Sequence, residues 1–290
     1  MFLLDDGTVV HGAADLTAAA RCEYALARVL DVLLGWTDPL ELPADATEEP
    51  GTDLGGDLEA LALADHLDRY GRWRSRTGHG VAQILTPAPE DMTSRNVLEA
   101  KHTETVAVLH AGADVVHGAT FFDGAFLGRA DFLVRRRSTV QGPARYAPHD
   151  TRMSRHAKVV ALLQLAAHAD QLLTAGFHHA EDVHLVLGDL STTHHRVADL
   201  LPLYRARRRR LADLVRSRTD AQGPAAWGDA RYRACGTCAV CRPEVELRGE
   251  VLLVHGPHDP RTARLRAAGL TTLELLAAAD DPVPGLEPAD

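Results

Sequence analysis

The chain has 290 residues, 46% of them apolar, and a formal charge of −9. That is enough apolar content for one large core, or for a core with a small appendage. The acidic balance excludes binding to nucleic acid through net charge alone, and no apolar run reaches the length of a membrane span.

Taken in chain order, residues 9–34 read as a strand and turn followed by an apolar helix carrying Cys22, with Asp15 to Thr17 offering capping chemistry. The opening Met1-Phe-Leu-Leu-Asp-Asp lacks a basic segment, so no signal peptide is expected. Residues 37–56 are rich in Pro, Asp, Glu and Gly and read as a loop. Gly55, Gly56 and Gly80 read as turn residues. A helix is expected over 58–70, a short strand within 77–89 and a helix over 93–111. Two β-rich runs, 113–122 and 125–134, flank Asp123-Gly124 and signal a hairpin. The next strand, 145–150, is weakened by Pro148.

The segment 158–175 keeps apolar residues at helical spacing: Val159, Leu162, Leu163, Ala166, Ala169 and Leu173. A buried strand is expected over 183–187 and a long helix over 197–218, with Pro202 in its first turn. Residues 251–254 are short and apolar. Residues 261–276 read as helix, turn at Gly269, helix, and residues 280–290 as a loose tail. Mixed α/β is the class this order implies.

Charge is unevenly placed. Residues 38–68 carry ten acids and neither Lys nor Arg, while 204–218 carries seven Arg and one Asp. An Arg-rich helix can follow a phosphate backbone, or can be an ordinary solvated face.

Four cysteines carry the strongest local signal. Cys235, Cys238 and Cys241 form C-x-x-C-x-x-C, and Cys22 lies 212 intervening residues away (235 − 22 − 1). Without a secretory signal these thiols are expected in a reducing cytosol, where metal ligation is favoured over disulfides. Four thiolates are the ligand set of an iron–sulfur cluster or of a structural zinc. A second constellation is acidic. Asp131 sits near one strand end. Asp150 and Arg152 leave the following strand at i and i+2, on one face. Gln164 and His168 share a helix face at i and i+4. Two carboxylates at neighbouring strand ends can hold a divalent cation that activates water. Equally, Arg152 can neutralise both acids and replace the metal. No Walker-type phosphate loop is present.

Five segments together carry a resemblance: Ala20-Arg-Cys22-Glu-Tyr24; Phe121-Phe-Asp-Gly-Ala-Phe-Leu-Gly-Arg-Ala-Asp131; Asp150-Thr-Arg-Met-Ser-Arg-His-Ala-Lys158; Leu162-Leu-Gln-Leu-Ala-Ala-His168; and Tyr232-Arg-Ala-Cys-Gly-Thr-Cys-Ala-Val-Cys241. In order and spacing the chain resembles the RecB-like nucleases of the PD-(D/E)xK superfamily, in their four-cysteine branch, over roughly residues 1–275. The resemblance implies a restriction-endonuclease-like mixed sheet flanked by helices over 1–250, a partial helix-hairpin-helix-like extension over 251–278 and a flexible tail over 279–290. It implies a metal-dependent deoxyribonuclease in DNA repair or recombination. Its DNA would be single-stranded or an end, and a helicase could be its partner.

Asp131 and Asp150 match the metal-binding acids (Mg2+ or Mn2+), and Gln164 matches a glutamine near the DNA backbone. Cys22, Cys235, Cys238 and Cys241 match the ligands of a four-iron–four-sulfur cluster, with Zn2+ as the alternative. Three positions depart from the family. Arg152 replaces its catalytic lysine, His168 replaces a motif tyrosine, and Leu58 stands where an N-terminal metal-binding histidine belongs. His66 lies too far along its helix to substitute for that histidine. These departures imply weakened catalysis, or a non-catalytic DNA-binding or structural protein of the same fold.

Overall fold

The structure, a computed structural model, describes residues 1–40, 52–76, 78–136, 144–256, 259–280 and 283, with backbone alone for 52–55. Much of the expected acidic loop and nearly all of the expected tail lie outside these residues. The chain divides into two units, Met1–Thr17 with Glu49–Leu211, and Ala18–Glu48 with Ala212–Asp290. No helix among the described residues is long and apolar enough to cross a membrane.

The first unit is a mixed seven-stranded sheet flanked by helices. Its strands are β3 (Val81–Gln83), β4 (Val115–Phe122), β5 (Leu127–Arg136), β6 (Arg145–Arg152), β7 (His178–His179), β8 (Asp182–Leu187) and β9 (Thr192–Arg196). They run in the order β3-β4-β5-β6-β8-β9, and β7 also pairs with β6. β3 and β4 are parallel, as are β6 and β8, whereas β4–β5, β5–β6 and β8–β9 are antiparallel. A small antiparallel pair, β1 (Phe2–Leu3) and β2 (Val9–Val10), precedes it.

The hairpin forms where the Asp-Gly signal placed it. Asp123 Oδ1 accepts hydrogen bonds from the backbone N–H of Ala125 and Phe126, and Gly124 adopts φ +99°, the local pattern that makes Asp-Gly a turn former. β6 extends two residues beyond the expected 145–150, and Pro148 stands inside it, paired with Leu133. It is tolerated because β6 changes partner there. Residues 145–146 pair with β7 and 149–152 with β8, so 147–148 pair with neither.

One core cluster joins Val116, Ala119, Phe121, Ala130, Leu133, Tyr146 and Leu172. Another gathers Val115, Phe132 and Val134 beneath Ala62, Leu63 and Leu67 of α3 (Thr52–Tyr70). Strict strand alternation would send residues 116 and 119 to opposite faces. Their shared cluster reflects a break at Gly118, φ +68°, where an added Cβ would stand 2.5 Å from the Ile84 carbonyl oxygen. Asp131 lies opposite this break, between the pairs His117↔Phe132 and Ala119↔Ala130.

Several expectations are corrected. The apolar helix expected over 9–34 is two helices, α1 (Ala13–Arg21) and α2 (Glu23–Leu33), parted at Cys22. Asp15 does not cap a helix at 18. It lies in the first turn of α1 and accepts from the Gly12 N–H at 2.8 Å, as an acid at that position does. Gly55 and Gly56 lie within α3, not in a turn, whereas Gly80 takes φ +108° in a turn. The strand expected within 77–89 shortens to β3. The helix expected over 93–111 is α4 (Arg95–His110).

α5 (Val159–Thr174) buries Leu163, the run Leu165 to Ala169, Gln171 and Leu172, while Val159 is 60% exposed and Leu173 37%. Its buried face is broader than the expected stripe and displaced from it. Pro202 falls in the second turn of α6 (Val197–Thr219), not the first. The strands β7 and β9 were not expected at all.

The second unit is helical: α2, the end of α6, α7 (Arg242–Leu247), α8 (Leu252–His255), α9 (Pro260–Ala267) and α10 (Leu273–Ala277). Gly269 turns between α9 and α10 with φ +84°, as expected. Val245, Val251 and Leu265 are buried within it.

Candidate functional site

The acidic constellation forms in the first unit. Asp131 Oδ2 accepts from the Thr151 N–H at 2.7 Å and from its hydroxyl at 2.9 Å. Asp150 Oδ1 accepts from the Asp131 N–H at 3.3 Å. The Arg152 guanidinium spans the two acids, with Nη1 3.5 Å from Asp131 Oδ2 and Nη2 3.6 Å from Asp150 Oδ2. These are ion-pair distances beyond good hydrogen bonding, so Asp150 Oδ2 is buried without a hydrogen-bond partner.

Burial sets the titration of these acids. Asp150 is 0% exposed, and desolvation, reinforced by the Asp131 charge, pushes its carboxyl up to about 8 against the pull of Arg152. Asp131 is also raised, first by burial. His168 stands behind them on α5, its Nε2 3.7 Å from Asp150 Oδ2. Both its ring nitrogens are buried without hydrogen-bond partners, and burial lowers it to about 3. Burial thus favours its neutral form.

Gln164 is half-buried one turn earlier on α5. Among the described residues it makes no hydrogen bond or ion pair with Asp131, Asp150 or Arg152. Leu58 is buried in the core, and His66 packs on the Phe132 ring at 4.9 Å.

Sequence reasoning did not assign Thr151, Glu59, His117 or Arg129 to this site. Glu59 bonds His117 Nε2 at 2.8 Å and pairs with Arg129 Nη2 at 3.3 Å. The His117 bond is the main cause of its lowered pKa, and the Glu59 charge is felt at both Asp131 and Asp150. Only Thr151 carried a local signal, as the hydroxyl residue between Asp150 and Arg152.

Oxygen donors from two acids suit a hard divalent cation, and the orphaned Asp150 Oδ2 is an atom such an ion would satisfy. Mg2+ keeps several waters and commonly needs only one or two carboxylates, so the residues fit.

The second unit holds the thiols. Cys22 occupies the N-cap of α2, its Sγ accepting from the N–H of Ala25 at 3.3 Å and of Cys235 at 3.4 Å. The Arg233 carbonyl accepts from the N–H of Glu23 and Tyr24, donors that a helix start leaves unpaired. Glu23 in turn binds the Arg233 N–H and guanidinium. These contacts bring Cys22 to the triplet. The Sγ atoms of Cys22 and Cys241 are 3.4 Å apart and those of Cys235 and Cys241 3.9 Å. All four sulfurs lie within 4.8 Å of one another, and together they could hold a metal ion.

Four sulfurs at the Zn–S distance of about 2.3 Å from one ion stand about 3.8 Å apart. A four-iron–four-sulfur core inside the shell holds its outer sulfurs wider than that. The bond between Cys22 and Cys241 lowers the Cys22 thiol and raises that of Cys241, so it favours the thiolate at Cys22 and the protonated thiol at Cys241.

The Arg-rich stretch of α6 is partly engaged. Arg205 pairs with Asp170 at 2.6 Å, Arg208 with Asp123 and Asp170, and Arg216 with Asp213 at 3.2 Å. Arg218 is buried against Asp31. No family model matches the chain, and no curated protein does either.

Proposed function

We propose that this chain is a RecB-like DNA nuclease of restriction-endonuclease-like fold, which hydrolyses phosphodiesters with Asp131 and Asp150 as its cation-binding pair. The observation that carries the reading is a single one. Two acids from adjacent strands meet at one guanidinium, and that guanidinium leaves Asp150 Oδ2 without a hydrogen bond. A divalent cation bound by both acids would supply an activated water and neutralise the scissile phosphate.

The chain's own residues do the rest. Thr151 fixes the Asp131 carboxylate through two hydrogen bonds. His168 closes the site behind Asp150 and excludes water. Arg152, 32% exposed, turns from the acids to the phosphate and stabilises its developing charge through paired N–H donors. Unlike lysine, its bulky fork competes with the cation for the same oxygens, so cleavage is slow.

A second reading, a DNA-binding protein of this fold that does not cleave, is favoured by the position of Arg152 on both acids. The test is nicking of single-stranded DNA in Mn2+ by anaerobically purified protein. The nuclease reading expects weak nicking, abolished in Asp131→Ala and raised about tenfold or more in Arg152→Lys. DNA binding without nicking in either wild type or Arg152→Lys establishes the second reading.

For the cysteines, the sulfur separations support a single zinc-sized ion, whereas the family resemblance supports a four-iron–four-sulfur cluster. Visible iron–sulfur absorbance identifies the cluster. A colourless protein with one zinc identifies the ion.

A further inference from the structure

A lateral row of rings crosses the sheet. The register aligns His117 with Phe132, Phe132 with His149, His149 with His184, and His184 with His194. At the β6–β8–β9 end the row is all imidazole. The His149 and His184 rings lie 4.1 Å apart and tilted by 30°, and His194 meets His184 edge-on at 4.6 Å. Arg136, exposed at the end of β5, reaches over them. Its Nη2 stands 2.5 Å from His184 Nε2 and 3.4 Å from His149 Nε2.

A guanidinium only donates hydrogen bonds. Both Nε2 atoms therefore carry lone pairs, and both lone pairs are directed at one cationic nitrogen. Two neutral imidazoles converging on one point form the beginning of a transition-metal site.

We propose that His149, His184 and His194 form a site for a first-row transition-metal dication, with Arg136 as its removable cover. His149 Nε2 and His184 Nε2 are the fixed ligands. They project from neighbouring strands of a rigid sheet, where a ligand pair is held to geometry better than on loops. His194, exposed on the edge strand β9, completes the site by turning its ring toward the same point, and water fills the remaining positions. Nitrogen donors select Zn2+, Ni2+ or Cu2+ over Mg2+, so this site is chemically separate from the carboxylate pair, whereas the four thiols take the same ions and are filled before it is tested.

The test is calorimetric titration of Ni2+ into untagged full chain whose cysteine centre is already loaded, with Cu2+ electron paramagnetic resonance as the structural readout. Wild type is expected to bind Ni2+ at one site. His184→Ala should weaken it by at least about tenfold, and Arg136→Ala, which uncovers the lone pairs, should tighten it by about tenfold. His178→Ala, removing an exposed histidine elsewhere, should leave it unchanged. The Cu2+ spectrum should show imidazole nitrogen couplings that His149→Gln reduces. Because Arg136 is exposed, its variant keeps the test decisive if His184→Ala fails to fold. An Arg136→Ala protein that binds no tighter than wild type overturns the proposal, as does a His178→Ala loss equal to that of His184→Ala.

Discussion

Arg218 is 1% exposed and its partner Asp31 is 0%. Both carboxylate oxygens of Asp31 accept hydrogen bonds. Asp31 accepts from the Arg218 guanidinium on one oxygen and from the Ala225 N–H on the other, and Arg218 also reaches the Gly223 carbonyl. A buried charge left alone is far more costly than a buried pair. Arg218→Ala should therefore lower stability by about 3–5 kcal/mol in urea unfolding, with the Arg218→Met, Asp31→Leu double variant recovering part of the loss. A double variant as unstable as the single one would show that the cost lies in lost packing, not in the orphaned charge.

Histidine burial gives a pH prediction at the same scale. His11 is 6% exposed, and burial lowers its pKa below the ordinary 6.5. The unfolded chain binds that proton more readily, so the stability His11 contributes is complete above about 6.5 and is lost as pH falls below it. The thermal midpoint should drop between pH 7 and pH 5, and His11→Leu should make that drop shallower. An unchanged slope would mean that His11 takes up its proton equally readily in the folded and unfolded chain.

Among elements, the hairpin of β4 and β5 controls the acid pair through its irregularity. Gly118 holds a left-handed backbone opposite Asp131, and a methyl group there meets the Ile84 carbonyl oxygen. Gly118→Ala should cost about 1 kcal/mol or more and, if the chain is the proposed nuclease, reduce its Mn2+-dependent nicking beyond what the lost stability explains. Normal nicking in the folded variant would separate the kink from the site.

α5 illustrates a limit of periodicity. Its apolar residues were readable at helical spacing, yet the helix packs against β5, β6 and β8 and buries residues on nearly every side. The stripe alone therefore could not choose which turn faces the acids. His168, adjoining Asp150, is set by that packing, and Gln164 lies one turn before it on the same helix.

For the whole molecule, a metal ion held by Cys22 and the triplet would close a loop of 212 intervening residues. Cys22 and the triplet lie in one unit, so loss of a metal ion held by them should act first on that unit. Stripping the metal, or substituting Cys22→Ser, should lower the unfolding midpoint by at least about 5 °C. Amide exchange should rise over 222–256 while β4, β5 and β6 stay protected. Equal exchange in both units would mean that the clasp and the sheet unfold as one cooperative body.

Composition, spacing and local chemistry determined a mixed α/β chain, the Asp-Gly hairpin, the four-thiol ligand set and the nomination of Asp131, Asp150 and Arg152. Each of these is written in neighbouring residues. Tertiary structure alone decided that Arg152 spans both acids, that Glu59 holds His117 and Arg129 beside them, and that three histidines from three strands share one row. Those facts depend on strand register and on the turn of a helix about its axis. Both are fixed by packing between segments far apart in the chain, which local pattern does not encode.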